Sequence, residues 1–409
     1  MRKPNWMQHG FHWKQSTLYV GAPLFMLNAF VFVAMASYAP FLGAYYSDQL
    51  GMSPAQIGQL FGVGPLVAML FQPIWAHISD RTGKRRNVLM CVCLLCAMAM
   101  LLFYTANSFP TYLLAAICLS AFSASIVPLS DSILIMRAQE KNLAFSHIRA
   151  AGTIGYALVV YFFGFLYKDH ANYIFAASSA MYALLAFIIF RLPDDAPRSS
   201  QAQGSADTIS EKPFSFRAEF VFLALFAFVI HTGFNFSNSF LGVYTVSLGY
   251  DRSVLGFMNS MAAFCELPAL LGIHRLLRRF GAIPLIVFAG LLLSARIFMV
   301  ATGQIGLIFF GQMIQSSGYI ILYCCCAMYI GAHVPKAHQS KAQTAYAIVH
   351  SGLANLAGYM LGGRIADTVG LQIAYRDYGW FSLLGTVGLG FAYYLFAKRQ
   401  RRIGRDIQL

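Results

Sequence analysis

Apolar stretches of about twenty residues recur along almost the whole chain, and each is long enough to cross a hydrocarbon layer of roughly 30 Å as a helix. No water in that layer can satisfy backbone N–H and C=O groups, so a spanning run must close its hydrogen bonds on itself. An all-α membrane protein embedded in the lipid bilayer is the expected class. Composition agrees: 58% of the 409 residues are hydrophobic and 11% charged, against roughly a quarter charged in a soluble domain.

The runs place twelve transmembrane helices near 17–46, 56–79, 87–106, 111–136, 145–167, 172–192, 218–248, 254–274, 283–302, 305–332, 340–366 and 377–397. One long polar stretch, RLPDDAPRSSQAQGSADTISEKPFSFR, interrupts them. It divides the chain into an N-terminal six-helix bundle (1–192), a linker (193–217) and a C-terminal six-helix bundle with a basic tail (218–409). The polar lead MRKPNWMQHGFHWKQS precedes a run of full spanning length without a small-residue cleavage site, so it reads as leading into an uncleaved first helix.

The formal net charge of +14 does not point to nucleic acid, because the basic clusters sit between apolar runs and lack interleaved stacking aromatics. With the N-terminus in the cytoplasm, 23 Lys and Arg fall in cytoplasmic segments, and only Lys168, Arg252 and Arg376 on the opposite side. The positive-inside rule then puts both termini and the linker in the cytoplasm of a multi-pass cell-membrane protein. Arg149, Arg296 and Arg364 fall within helices.

All eight cysteines lie inside apolar segments, and Cys324, Cys325 and Cys326 point in three directions from one helix. Neither a disulfide framework nor a metal site is expected. The chain contains no phosphate loop of the form G-x-x-x-x-G-K-[ST]. No enzyme activity, cofactor or metal is expected. Two six-helix bundles around a cytoplasmic linker suit a monomeric transporter whose small-molecule site lies near the midplane between halves.

The segment FGVGPLVAMLFQPIWAHISDRTGKRRNVL ends the second helix in Asp80, Arg81, Gly83, Lys84, Arg85 and Arg86. It resembles the signature loop of the major facilitator superfamily, which implies that fold. Gly83 permits a sharp turn, and Asp80 accepts from basic side chains or helix ends on one face. The equivalent place in the second half, HRLLRRFGAIPL, keeps Arg278, Arg279 and Gly281 without the acid.

Arg149, Thr153 and Tyr156 are spaced to share one helical face. An arginine fork can donate to vicinal hydroxyls or a carboxylate, and a phenol ring offers a flat apolar face to a sugar. The stretch SDSILIMRAQEKNLAFSHIRAAGTIGYAL resembles the helix four to five region of the lactose permease group, the oligosaccharide and proton symporters. That resemblance implies a sugar held by Asp131, Arg149 and Tyr156, where the family has Glu, Arg and Trp. MAAFCELPALLGIHRLL and LLSARIFMV resemble the regions that carry the family's essential glutamate and arginine, here Glu266 and Arg296. The family's lysine, histidine and glutamate on helix ten fall on Met313, Ser316 and Tyr319, and its helix eleven lysine on Ser351. Helix seven carries His231, Asn235 and Asn238 in place of the family's acids.

The reading is a transporter driving uptake of a sugar or glycoside with protons. Asp131, Arg149, Thr153, Tyr156 and Asn238 are its substrate candidates, and Glu266, Arg296 and His231 its proton-coupling candidates. For Glu266 the alternative is a structural pair with Arg296. His231 and His350 could titrate near neutrality or serve as satisfied core histidines. Gly358 and Gly362 are expected to allow close helix packing. The other readings are transport of an aromatic acid, nucleoside or drug in either direction, and a membrane sensor on a transporter scaffold.

Overall fold

The computed structural model describes residues 15–141, 143, 145–193, 218–334 and 338–406, so most of the linker, 194–217, lies outside the described residues. Helices cross back and forth twelve times among them. Among the described residues, nine helices are long and apolar enough to span a membrane by themselves. The first span is broken, Gln15–Ala36 followed by Leu42–Asp48, and the eighth, Arg252–Phe280, is more polar. The eleventh runs from residue 339 to 369 in pieces.

Two of the breaks have a local cause. Pro40 and Pro128 lack an N–H and would clash with the carbonyl four residues back, so the first span turns at 37–41 and the fourth divides into Phe109–Ser123 and Ile126–Glu140. The seventh span divides at Phe240 without a proline, into Ala218–Ser239 and Leu241–Ser247. In the eleventh, two π-helical segments, Ile348–Leu353 and Ala357–Leu361, flank a short α-helical piece. Neither the breaks nor the π segments have a sequence signal as plain as apolar length.

Residues 15 and 406 lie at one face, here called the basic face, with the loop at 83–84. At the opposite, far face the two sets of six spans close on each other. One continuous core joins Phe41, Tyr46 and Tyr167 with Phe240, Tyr244 and Met258 there. A separate core, around Phe226, Ile286, Leu322 and Tyr346, fills the last six spans toward the basic face. Closure depends on small residues. A Cβ on Gly256 would sit 2.7 Å from the Val160 carbonyl oxygen, and one on Gly363 would sit 2.5 Å from that of Pro54. Gly362 packs against Phe236 in the same manner, as the sequence anticipates.

Two ion pairs cross between the sets at the far face: Arg252 Nη2 to Asp48 Oδ2 at 2.7 Å and Lys168 Nζ to Asp251 Oδ2 at 3.2 Å. Asp251 also caps the eighth span by accepting from the Ser253 N–H. Burial works the other way, but hydrogen bonds from Ser253 and Lys168 hold its carboxyl below the usual carboxylate range. Leu70, Met98, Phe162, Leu384 and Phe391 are among the exposed apolar side chains of the membrane-facing surface. Among the described residues all eight cysteines are free.

Candidate functional site

Between the two sets of spans lies a cavity of about 1130 Å³. Its wall mixes aromatic rings, Phe61, Tyr156 and Tyr359, with the amides Gln72, Asn238, Asn259 and Asn355. The mixture of flat apolar faces and amide donors and acceptors suits a polar ligand with a ring.

Asp131 and Arg149 meet as the sequence expects. Arg149 Nη1 lies 3.2 Å from both Oδ1 and Oδ2 of Asp131. One nitrogen serves both oxygens, and the remaining guanidinium donors make no hydrogen bond among the described residues. The pair is not sealed, with side chains 43% and 28% exposed. The Arg149 guanidinium also rests 5.0 Å over the Phe32 ring of the first span, a cation–π contact that helps fix the fork. Gly152 makes room for this ring, since a Cβ there would meet Phe32 Cδ2 at 2.5 Å. Thr153 is half-buried one turn on, and Tyr156 reaches the cavity wall.

Glu266 is half-buried on the eighth span, across from the fifth. It interacts electrostatically with Arg149, Tyr156 and Tyr319. The alternative pairing with Arg296 is not what the structure shows. Arg296 is fully buried, donates from Nη2 to Gln312 Oε1 at 2.9 Å and has Tyr375 as its electrostatic neighbour. Burial draws it into the core of the last six spans, away from the acid. Its Nε and Nη1 find no hydrogen-bond partner among the described residues.

Asn238 joins the cavity wall and accepts from Gln315 Nε2 at 3.3 Å. His231 is buried and lies against His350, with Tyr319 on its other side. Sequence reasoning singled out both histidines without bringing them together. It also missed Phe32, Gln315 and Tyr359, ordinary residue types whose position alone matters.

At the basic face, Gly83 takes φ +67° and its N–H caps the second span on the Ser79 carbonyl. Arg85 lies 3.7 Å from Asp80 and donates to Ser132 Oγ at 2.8 Å, tying the loop to the fourth span. Arg81 and Lys84 are exposed. Arg86 and Arg137 donate to the carbonyls of Leu192 and Pro193, closing the free end of the sixth span. The loop thus links spans two, three, four and six.

Residues 24–377 match the MFS_1 like family. The maltose permease of Geobacillus stearothermophilus is 27% identical over 406 residues, covering 98% of this chain and all of the relative. The lactose permease of Klebsiella oxytoca is 25% identical over 388 residues, covering 86% and 89%. A crystal structure of a point mutant of the nucleoside transporter NupG superposes with a TM-score of 0.81 at 16% identity, covering 90% of this chain and 98% of that one. That last likeness concerns the fold alone.

Proposed function

Since this chain belongs to the MFS_1 like family and is a secondary transporter of the major facilitator fold, we propose that it drives uptake of a sugar or glycoside with protons. The observation that carries this reading is the half-open Asp131–Arg149 pair, whose arginine stands on the span where Tyr156, two turns on, lines an aromatic-walled cavity; Asp131, Arg149 and Thr153 are not themselves in that lining. A sugar presents vicinal hydroxyls that accept from the unused donors of Arg149 and donate to Asp131. Its ring face stacks on Tyr156, and Thr153 and Asn238 bond the remaining hydroxyls. The full-length match to a maltose permease supports the same class.

Two bundles, 1–192 and 218–409, joined by the linker 193–217, rock about this site in a single chain, so a monomer suffices. The basic face is cytoplasmic in a cell membrane, by the distribution of Lys and Arg. With the far face closed, the conformation is open to the cytoplasm. The loop of Asp80, Arg81, Gly83, Lys84 and Arg85 sets the populations of the two conformers without touching the ligand. Glu266 carries a coupling proton: it shares Arg149 with Asp131, so its charge governs how firmly Arg149 is held. His231 serves the same coupling. Arg296, buried and bonded to Gln312, acts in this scheme only by holding the ninth and tenth spans together. The chain has no part in covalent catalysis.

A nucleoside is the competing substrate, because the same rings would stack on a base and the same pair would take ribose hydroxyls. A thermal-shift screen of purified protein against maltose, other sugars, nucleosides and aromatic acids tests the reading. Stabilisation by a sugar and not by nucleosides or acids is expected; the opposite pattern refutes it.

A further inference from the structure

The histidines of the seventh and eleventh spans meet inside the last six spans, with ring centroids 5.1 Å apart. Each directs Nδ1 at the carbonyl oxygen four residues back on its own helix, His231 at Ala227 and His350 at Tyr346, both at 2.9 Å. A carbonyl oxygen only accepts, so both Nδ1 atoms carry the hydrogen and both neutral rings present Nε2 as a lone pair. His231 is 2% exposed, and its Nε2 has no hydrogen-bond partner among the described residues. Two neighbouring rings fixed in this tautomer cannot bond to each other.

One proton removes the conflict, because a protonated Nε2 on one ring becomes a donor to the lone pair of the other. We propose that His231 and His350 together form a single proton-binding site, separate from Glu266. The proton enters from water in the cavity, whose wall includes Ala347, Ile348 and Ser351 on either side of His350. It binds Nε2 of His350 and is donated to Nε2 of His231, with no bond broken in the protein. His350 lies in the π-helical segment Ile348–Leu353, so the partner ring sits on a stretch of the eleventh span with altered register.

The groups facing the pair are neutral. Tyr319 of the tenth span stands 6.3 Å from the His231 ring, and Tyr346 of the eleventh stacks 4.5 Å from that of His350. Tyr319 also interacts electrostatically with Glu266. On the ninth span Arg296 turns to Gln312 and Tyr375. The charges of the eleventh and twelfth spans, Lys341, Arg364, Asp367, Arg376, Asp377, Lys398 and Arg399, lie toward the helix ends.

As a coupling device the pair rests on the proton-driven uptake proposed above, but the shared proton itself does not, so the test uses no substrate. Full-length protein labelled with ¹⁵N-histidine is placed in lipid nanodiscs, and its imidazole nitrogens are followed by NMR from alkaline to acid pH. His231→Gln and His350→Gln assign the signals. Both rings should start as Nδ1–H tautomers and shift together in one step that takes up one proton. His350→Gln should weaken proton binding at His231 by about tenfold or more, the effect of losing one charge-assisted bond. Separate titrations, or a shift of His350 that leaves the His231 Nε2 signal unmoved, would overturn the proposal, and the number of wild-type histidine signals that move in that step decides this even where a variant does not fold. Glu266→Gln should retain the shared step; its loss there would assign the proton to Glu266 instead.

Discussion

Arg149 binds Asp131 through one nitrogen, Nη1, which lies 3.2 Å from both carboxylate oxygens. The geometry keeps the pair together while leaving the rest of the guanidinium for a ligand. Its flat fork is what a lysine at that position would lack.

Asp131→Asn and Arg149→Ala should therefore each abolish sugar binding, and Arg149→Lys should come close to doing so. Tyr156→Phe keeps the ring and should be mild, while Tyr156→Ala should cost about 1–3 kcal/mol of affinity. Isothermal titration of the purified variants measures this. Unchanged affinity in Arg149→Ala would reduce the pair to a structural contact.

The twelve spans were legible because apolar length is a property of composition, and the observed helices follow the expected ones along the chain. The Asp131–Arg149 contact was legible too, since two opposite charges in adjacent spans have few other partners. Glu266 was harder. Its neighbour in sequence order suggested Arg296, but which of two cations an acid meets depends on helix rotation, which no local pattern records. The His231–His350 contact depends in the same way on a π-helical register in the eleventh span.

At the far face, Asp48→Asn and Asp251→Asn each remove one of the ion pairs that hold the sets of spans together. Each should favour the conformer open at the far face by up to about 1 kcal/mol, roughly fivefold in population. Gly256→Val acts more strongly, because its side chain meets the Val160 carbonyl oxygen. Spin-label distances across the far face would report these shifts. Unaltered distances in Gly256→Val would show that closure does not require the contact.

Cysteines placed at Lys168, beside the far-face ion pair, and at Ser205, in the linker, test the orientation. An impermeant thiol reagent should reach the first from outside intact cells and the second only after permeabilisation. Reaction of both from outside would reverse or break the topology.

For Glu266→Gln, accumulation against a gradient should fail while exchange of substrate across the membrane persists and loses its pH dependence. Release of Arg149 from the Glu266 charge is the physical cause. Accumulation that survives would move coupling to another site, the paired histidines first.

Proton-driven sugar uptake is tested most directly in proteoliposomes holding the purified chain, with the labelled sugar that stabilises it in the thermal-shift screen outside and an inwardly directed proton gradient imposed. Accumulation above the outside concentration is expected, with collapse on addition of a protonophore and none with Arg149→Ala. A sugar that binds but never accumulates, or accumulation indifferent to the proton gradient, would contradict proton-driven uptake.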